Sequence, residues 1–169
     1  MSISRTGPGP SPGEVFLGPG DVLEITGPLS GQLLIHARGT AASPAVVRPA
    51  HRRATLQADG NVVVLVDPRH VEVRDLDVVG TTGGDGVLVW VTAPESVGVT
   101  LRGLTVRGAR NGIAIGSDVA GGLSDVEVRG CLVTDCLLQG ILTFGPQAPD
   151  QGIRRARVAD CRGEGTRGG

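Results

Sequence analysis

Large rings are nearly missing from this chain: there is no Tyr, and two Phe with a single Trp are its whole aromatic complement. A compact core normally draws much of its volume from rings. Here Val, Leu, Ile and Ala must fill the interior, which suits a thin, regularly stacked core. Lysine is absent too, since all 16 basic residues are Arg. That excludes a lysine base or Schiff base within these residues, and a P-loop with them. Neither charge sign dominates: the net charge is −1, so no global field recruits nucleic acid or an anionic membrane. Apolar runs such as Val62 to Val66 are far too short to cross a bilayer. The opening MSISRTGPGPSPGE has no apolar stretch of the signal-peptide kind and reads as an N-terminal arm over residues 1–13. Cys131, Cys136 and Cys161 form an odd set without CxxC spacing, and read as free, mostly buried thiols. His36, His51 and His70 share no ligand spacing, so no metal site is expected, and no GxSxG is present.

Glycine and proline are plentiful, at 28 and 11 residues, and their placement is regular. VEVRDLDV, starting at Val71, recurs as VTLRGLTV from Val99 and VEVRGCLV from Val126, with a weaker ARVADC from Ala156. Those starts lie 28, 27 and 30 residues apart. A second series interleaves with the first: DGVLVWV from Asp85, NGIAIGS from Asn111 and QGILTFG from Gln139, spaced by 26 and 28 residues. Val62 to Val66 and Leu33 to His36 occupy earlier positions of this series. Two phase-locked series with one period are the signature of a repeat architecture.

Each unit holds at least two short β-type segments divided by Gly, Pro or Asp turns, and no stretch shows a capped helical period. Val71, Val73, Leu76 and Val78 point one way while Glu72, Arg74 and Asp77 point the other. One unit cannot bury its apolar side alone, but stacking units about 4.8 Å apart builds a continuous core of side-chain ladders. Leu76, Leu104, Cys131 and Cys161 are expected in one inward column, and Val78, Val106 and Val133 in another. The hexapeptide period of left-handed β-helices and the LxxLxLxxN pattern of leucine-rich repeats are both missing.

With these repeats, and with the opening segment from Gly20 to Ala50, the chain resembles the pectate-lyase-like right-handed parallel β-helix superfamily. The resemblance implies an all-β solenoid of about five coils over residues 14–169, and polysaccharide as the ligand or substrate class. It also implies an extracellular setting, although no export signal is visible, and Ca²⁺ enters as a cofactor only through it. The scaffold by itself does not specify activity. After Cys161 the sequence reads RGEGTRGG, without a capping coil, so an open last coil that self-associates, or continues in a longer chain, is expected.

The candidate sites follow from the outward positions. If Val87, Val89, Ile113, Ile115 and Ile141 face inward, then Leu65, Trp90, Gly116 and Phe144 form an outward column. Its rings stand two rungs apart across a glycine gap and can stack on pyranose rings; Leu88, Ala114 and Leu142 form an apolar column beside it. The competing reading is a face covered by protein. Arg74, Arg102 and Arg129 form a second candidate, a ladder able to hold a uronate carboxylate or act as a lyase base, against the plainer reading of a solvated face balanced by Glu72 and Glu127. Asp85, Asn111 and Gln139 precede Gly86, Gly112 and Gly140; they read as a polar turn ladder with Gly supplying positive φ, and one carboxylate with two amides makes a poor Ca²⁺ site. GTTGGDG, from Gly80 to Gly86, falls between strands and is a loop, not a nucleotide-binding turn. The function expected is a polysaccharide-processing or polysaccharide-binding β-helix similar to polyuronate lyases, with no catalytic residue assigned. The alternative is a non-catalytic solenoid that makes protein contacts through its apolar strand face.

Overall fold

The computed structural model describes residues 2–119, 122–145 and 153–165. It is a parallel β-solenoid, as the repeat predicts, with no helix among the described residues. The strands run in threes. β1 (Ile3–Thr6), β2 (Gly9–Pro10) and β3 (Glu14–Leu17) open the stack, and the first two come from the segment read as an arm. β4 (Val22–Ile25), β5 (Leu29–Ser30) and β6 (Leu33–Ala37) follow, then β7 (Ala45–Pro49), β8 (Ala54–Gln57) and β9 (Val63–Val66). The best-conforming repeats are β10 (Arg69–Arg74), β11 (Leu76–Val79) and β12 (Val87–Val91), then β13 (Ser96–Arg102), β14 (Thr105–Arg107) and β15 (Asn111–Ser117). β16 (Leu123–Arg129), β17 (Leu132–Thr134), β18 (Gln139–Phe144), β19 (Ile153–Ala159) and β20 (Arg162–Glu164) complete the described chain.

Like strands stack on like, giving parallel sheets of seven, seven and six strands. The first sheet runs β1 to β19, the second β2 to β20, and the third β3 to β18. Registers follow the repeat: Val71 pairs with Val99, Val99 with Val126, and Val126 with Ala156. The tail after Cys161, read as uncapped, ends outside the described residues.

The VEVRDLDV unit is two strands rather than one. Asp75, Gly103, Gly130 and Asp160 each take a left-handed backbone, with φ of 57°, 63°, 60° and 54°. One left-handed residue turns the chain from the first sheet into the second. That turn lets Val73 and Leu76, three apart, both face inward, where each is fully buried. Leu76, Leu104 and Cys131 are buried in the expected column, with Cys161 packed against it, and Val78, Val106 and Val133 form the next. No aromatic residue enters the buried core.

The glycines of the DG/NG/QG motif correct one expectation. Gly86, Gly112 and Gly140 do not have positive φ. A Cβ on Gly86 would stand 2.3 Å from Val106 Cγ1 and 2.7 Å from the Gly112 carbonyl oxygen, and one on Gly112 would stand 2.2 Å from Val133 Cγ1. Gly86 and Gly112 are glycine because the third sheet starts where it presses on the valine ladder of the second, not because the backbone demands it.

Candidate functional site

The third sheet carries the ring-bearing face. Trp90 pairs in register with Gly116, and Gly116 with Phe144. On the other side Trp90 is level with Val66, not Leu65; Leu65 pairs with Val89 and is fully buried. The expected column was therefore one residue out at that rung, because Val62 to Val66 is apolar throughout and gives no alternation to read. Continuing through β6 and β3, the column takes in His36 and Phe16, which pair with each other. Phe16 and the His36 imidazole are stacked, with centroids 4.6 Å apart and an interplanar angle of 9°, and His36 Nε2 meets Glu14 Oε1.

The sequence places Leu33 to His36 in this series but does not show that the outward column continues through His36, and Phe16 is missed altogether, since the first coil departs too far from the repeat. One signal was available: the chain has three aromatic residues in all. All three stand outside the core in this one column. Phe16 is 73% exposed, Trp90 40% exposed, and Phe144 half-buried.

Around Trp90 and Phe144 the face forms a shallow groove of about 360 Å³, floored by Leu88, Ala114 and Leu142. Gly116 matters locally. A Cβ there would come within 2.3 Å of Phe144 Cδ2, so the Phe144 ring occupies the space above the glycine, leaning toward the Trp90 rung. Trp90 Nε1 donates to Asp118 Oδ2 at 2.6 Å, which fixes the indole on the face. The opposite edge is a polar ladder. The Asp85 amide donates to Asn61 Oδ1 at 2.8 Å, Asn111 Nδ2 donates to Asp85 Oδ1 at 2.9 Å, and Asn111 pairs with Gln139. Arg110 reaches the same Asp85 oxygen at 3.4 Å. Asp67 lies beyond the Trp90 edge. Burial would raise its carboxyl, but hydrogen bonds from the Thr92 amide and hydroxyl and the Ala93 amide, with Arg38 nearby, hold it below the usual carboxylate range.

The arginine column exists but lies elsewhere. Arg74, Arg102 and Arg129 pair in register on the first sheet, away from the rings. Arg102 Nη2 donates to Glu72 Oε1 at 3.1 Å, and Arg74 Nε stands 3.2 Å from the same oxygen without hydrogen-bond alignment. Arg129 is 4.0 Å from Glu127 and 3.9 Å from Asp160. The five candidate residues therefore divide between two sheets.

The first sheet also holds a larger, polar hollow of about 430 Å³. Along it His70, Gly98, Asp125 and Arg155 take left-handed backbones, with φ of 45°, 74°, 59° and 53°, in strands that pair on either side of them. Gly98 leaves room for the imidazole, since a Cβ there would lie 2.5 Å from His70 Nδ1. Asp125 takes two hydrogen bonds from Arg155, at 2.5 and 3.0 Å. The Arg155 hydrogen bond, with the Arg155 charge and a smaller contribution from His70, holds the Asp125 carboxyl below its ordinary range against the opposing effect of desolvation. Among the described residues no group of three His, Cys, Asp or Glu is placed to hold a metal ion.

No family model matches the chain, and no curated protein matches it. Among solved structures, the crystal structure of alginate lyase from Paenibacillus sp. str. FPU-7 aligns over 91% of this chain and 76% of its own, at 13% identity and a TM-score of 0.44. The likeness is one of chain path alone.

Proposed function

We propose that this protein is a polysaccharide-binding β-solenoid whose ligand lies lengthwise along the outer face of the third sheet. One observation carries the reading: every aromatic side chain of a ring-poor sequence stands in a single outward column of that sheet, and none in the core. Rungs about 4.8 Å apart resemble the advance of one sugar in an extended polymer, so rings two rungs apart can meet alternate sugars. Aromatic faces contribute apolar area at low entropic cost, and the polar ladder of Asn61, Asp85 and Asn111 supplies orienting groups along one edge. Binding is proposed, without chemistry on the polymer. The Arg74, Arg102 and Arg129 column, the candidate for a lyase base, belongs to the first sheet, away from the rings, and is paired with Glu72 and Glu127.

The test uses the fact that Trp90 is the only tryptophan. Titration with linear oligosaccharides should shift or quench its emission saturably, and Phe144→Ala should weaken the effect. A panel of glycans that leaves the emission of the folded protein unchanged would sink the reading. A second reading, contact with a protein through the same face, is favoured by the apolar column of Leu34, Leu88 and Leu142 beside the rings. Light scattering separates the two: a dimer that buries Trp90 supports protein contact.

A further inference from the structure

The third-sheet face has features that select among glycans, granted the glycan reading above. Asn111 is 6% exposed, and its Oδ1 has no hydrogen-bond partner. The orientation of that amide is settled by its neighbour. Nδ2 points to Asp85 Oδ1 at 2.9 Å, and a carboxylate can only accept. Asn111 therefore keeps an acceptor without a donor just beneath the wall of the groove that holds Trp90 and Phe144. A ring hydroxyl can donate to it, whether of a neutral sugar or of a uronate, while a carboxylate, being acceptor-only, cannot.

The charges point the same way. Asp118, exposed, accepts from the Trp90 indole, so a carboxylate stands beside the stacking surface itself. Glu14 closes the far end of the column beside His36. Of the nearby guanidinium groups, Arg110 is engaged by Asp85 and Arg38 sits by Asp67 at the edge. Among the described residues, the acids along this face outnumber the bases. A polyanion laid on the rings would meet Asp118 within the screening length of physiological salt.

We propose that the third-sheet groove takes a neutral, hydroxyl-rich glycan and discriminates against polyuronates: the unsatisfied Asn111 acceptor on one edge engages a ring hydroxyl, and the Asp118 carboxylate beside Trp90 on the other opposes a polyanion. This departs from the uronate class that the family resemblance implies.

Trp90 emission is titrated with β-1,4-linked hexasaccharides of neutral hexoses and with uronic acid hexamers of the same linkage, at low salt and at physiological ionic strength. The neutral hexamers should bind more tightly by at least about tenfold at low salt, with the gap narrowing as salt screens the carboxylates. Asp118→Asn keeps an acceptor for the indole while removing the charge, and should narrow the gap at low salt by strengthening uronate binding. A uronate hexamer that binds as tightly as the neutral ones, with affinity that falls as salt rises, overturns the proposal while leaving the glycan reading intact. If no hexamer of either class moves the emission of the folded protein, the glycan reading fails and the proposal fails with it.

Discussion

Gly112→Ala is a sharp test of how the third sheet is seated on the second. The added Cβ would lie 2.2 Å from Val133 Cγ1, 2.5 Å from the Gly140 carbonyl oxygen and 3.3 Å from Cys136 Sγ. A valine methyl can rotate away, but the Gly140 oxygen belongs to the next rung of the same sheet and moves only with its strand. Overpacking of this kind costs about 1–3 kcal/mol, and the backbone clash puts the substitution toward the upper part of that range. Loss of unfolded-state freedom on replacing Gly by Ala returns about 0.4–1 kcal/mol. The net expectation is a loss of about 2 kcal/mol. At about 2–4 °C per kcal/mol for a chain of this size, Tm should fall by about 4–8 °C. Gly60→Ala is the control. Nothing lies within 4 Å of its Cβ and its φ is not positive, so that variant should match or slightly exceed the parent. Thermal and urea unfolding would be followed by far-ultraviolet circular dichroism and by Trp90 emission. Stacked repeats can unfold in parts, and two probes reveal it. A Gly112→Ala protein within about 0.5 kcal/mol of the parent, or a Gly60→Ala protein equally destabilised, would refute the close-approach explanation of the glycine series.

Three further outcomes are expected. Burial raises the Cys131 thiol to about 11, so its thiolate fraction at mildly alkaline pH should be about a hundredfold below that of an ordinary cysteine. Maleimide should therefore label half-buried Cys161 before Cys131 in the native protein, and all three thiols at once in urea, as mass spectrometry of the peptides would show. Asp125 has its carboxyl lowered by Arg155, so its contribution to stability is present above the unfolded-state value and is lost as pH falls through the lower folded-state value. Asp125→Asn should lower Tm slightly in the neutral region, where the pair is formed, and leave the most acid end unchanged, so that the acidic limb of a Tm-against-pH curve flattens; the effect is small because the pair is exposed. Arg102→Ala, which removes a half-exposed partner of Glu72, should cost no more than about 1 kcal/mol and leave the Trp90 saccharide titration unaltered. A lost titration would bring the arginine column back into the binding site.

Much of the fold was legible because a solenoid's period and its pairing register are the same quantity. Once Val71, Val99 and Val126 occupy one position of a repeat, in-register parallel stacking places them side by side, and the buried columns of Leu76, Leu104 and Cys131 follow. The absence of rings likewise pointed to an aliphatic core, and the core contains none.

The sequence by itself thus determined the solenoid, its stacking partners and the inward set, because these depend on local alternation and on a period repeated along the chain. Only the tertiary structure decided which outward residues share a face. Arg74 and Trp90 are both outward and belong to the same coil, yet the left-handed turn at Asp75 and the loop from Gly80 to Gly86 send them to different sheets. Phe16 and His36 join Trp90 and Phe144 because turns of unequal length still return each coil to the same rung. The direction a side chain faces on a solenoid is set by the turns, whose angles depend on single backbone conformations and close contacts such as those at Gly112, and these leave no periodic trace in the sequence.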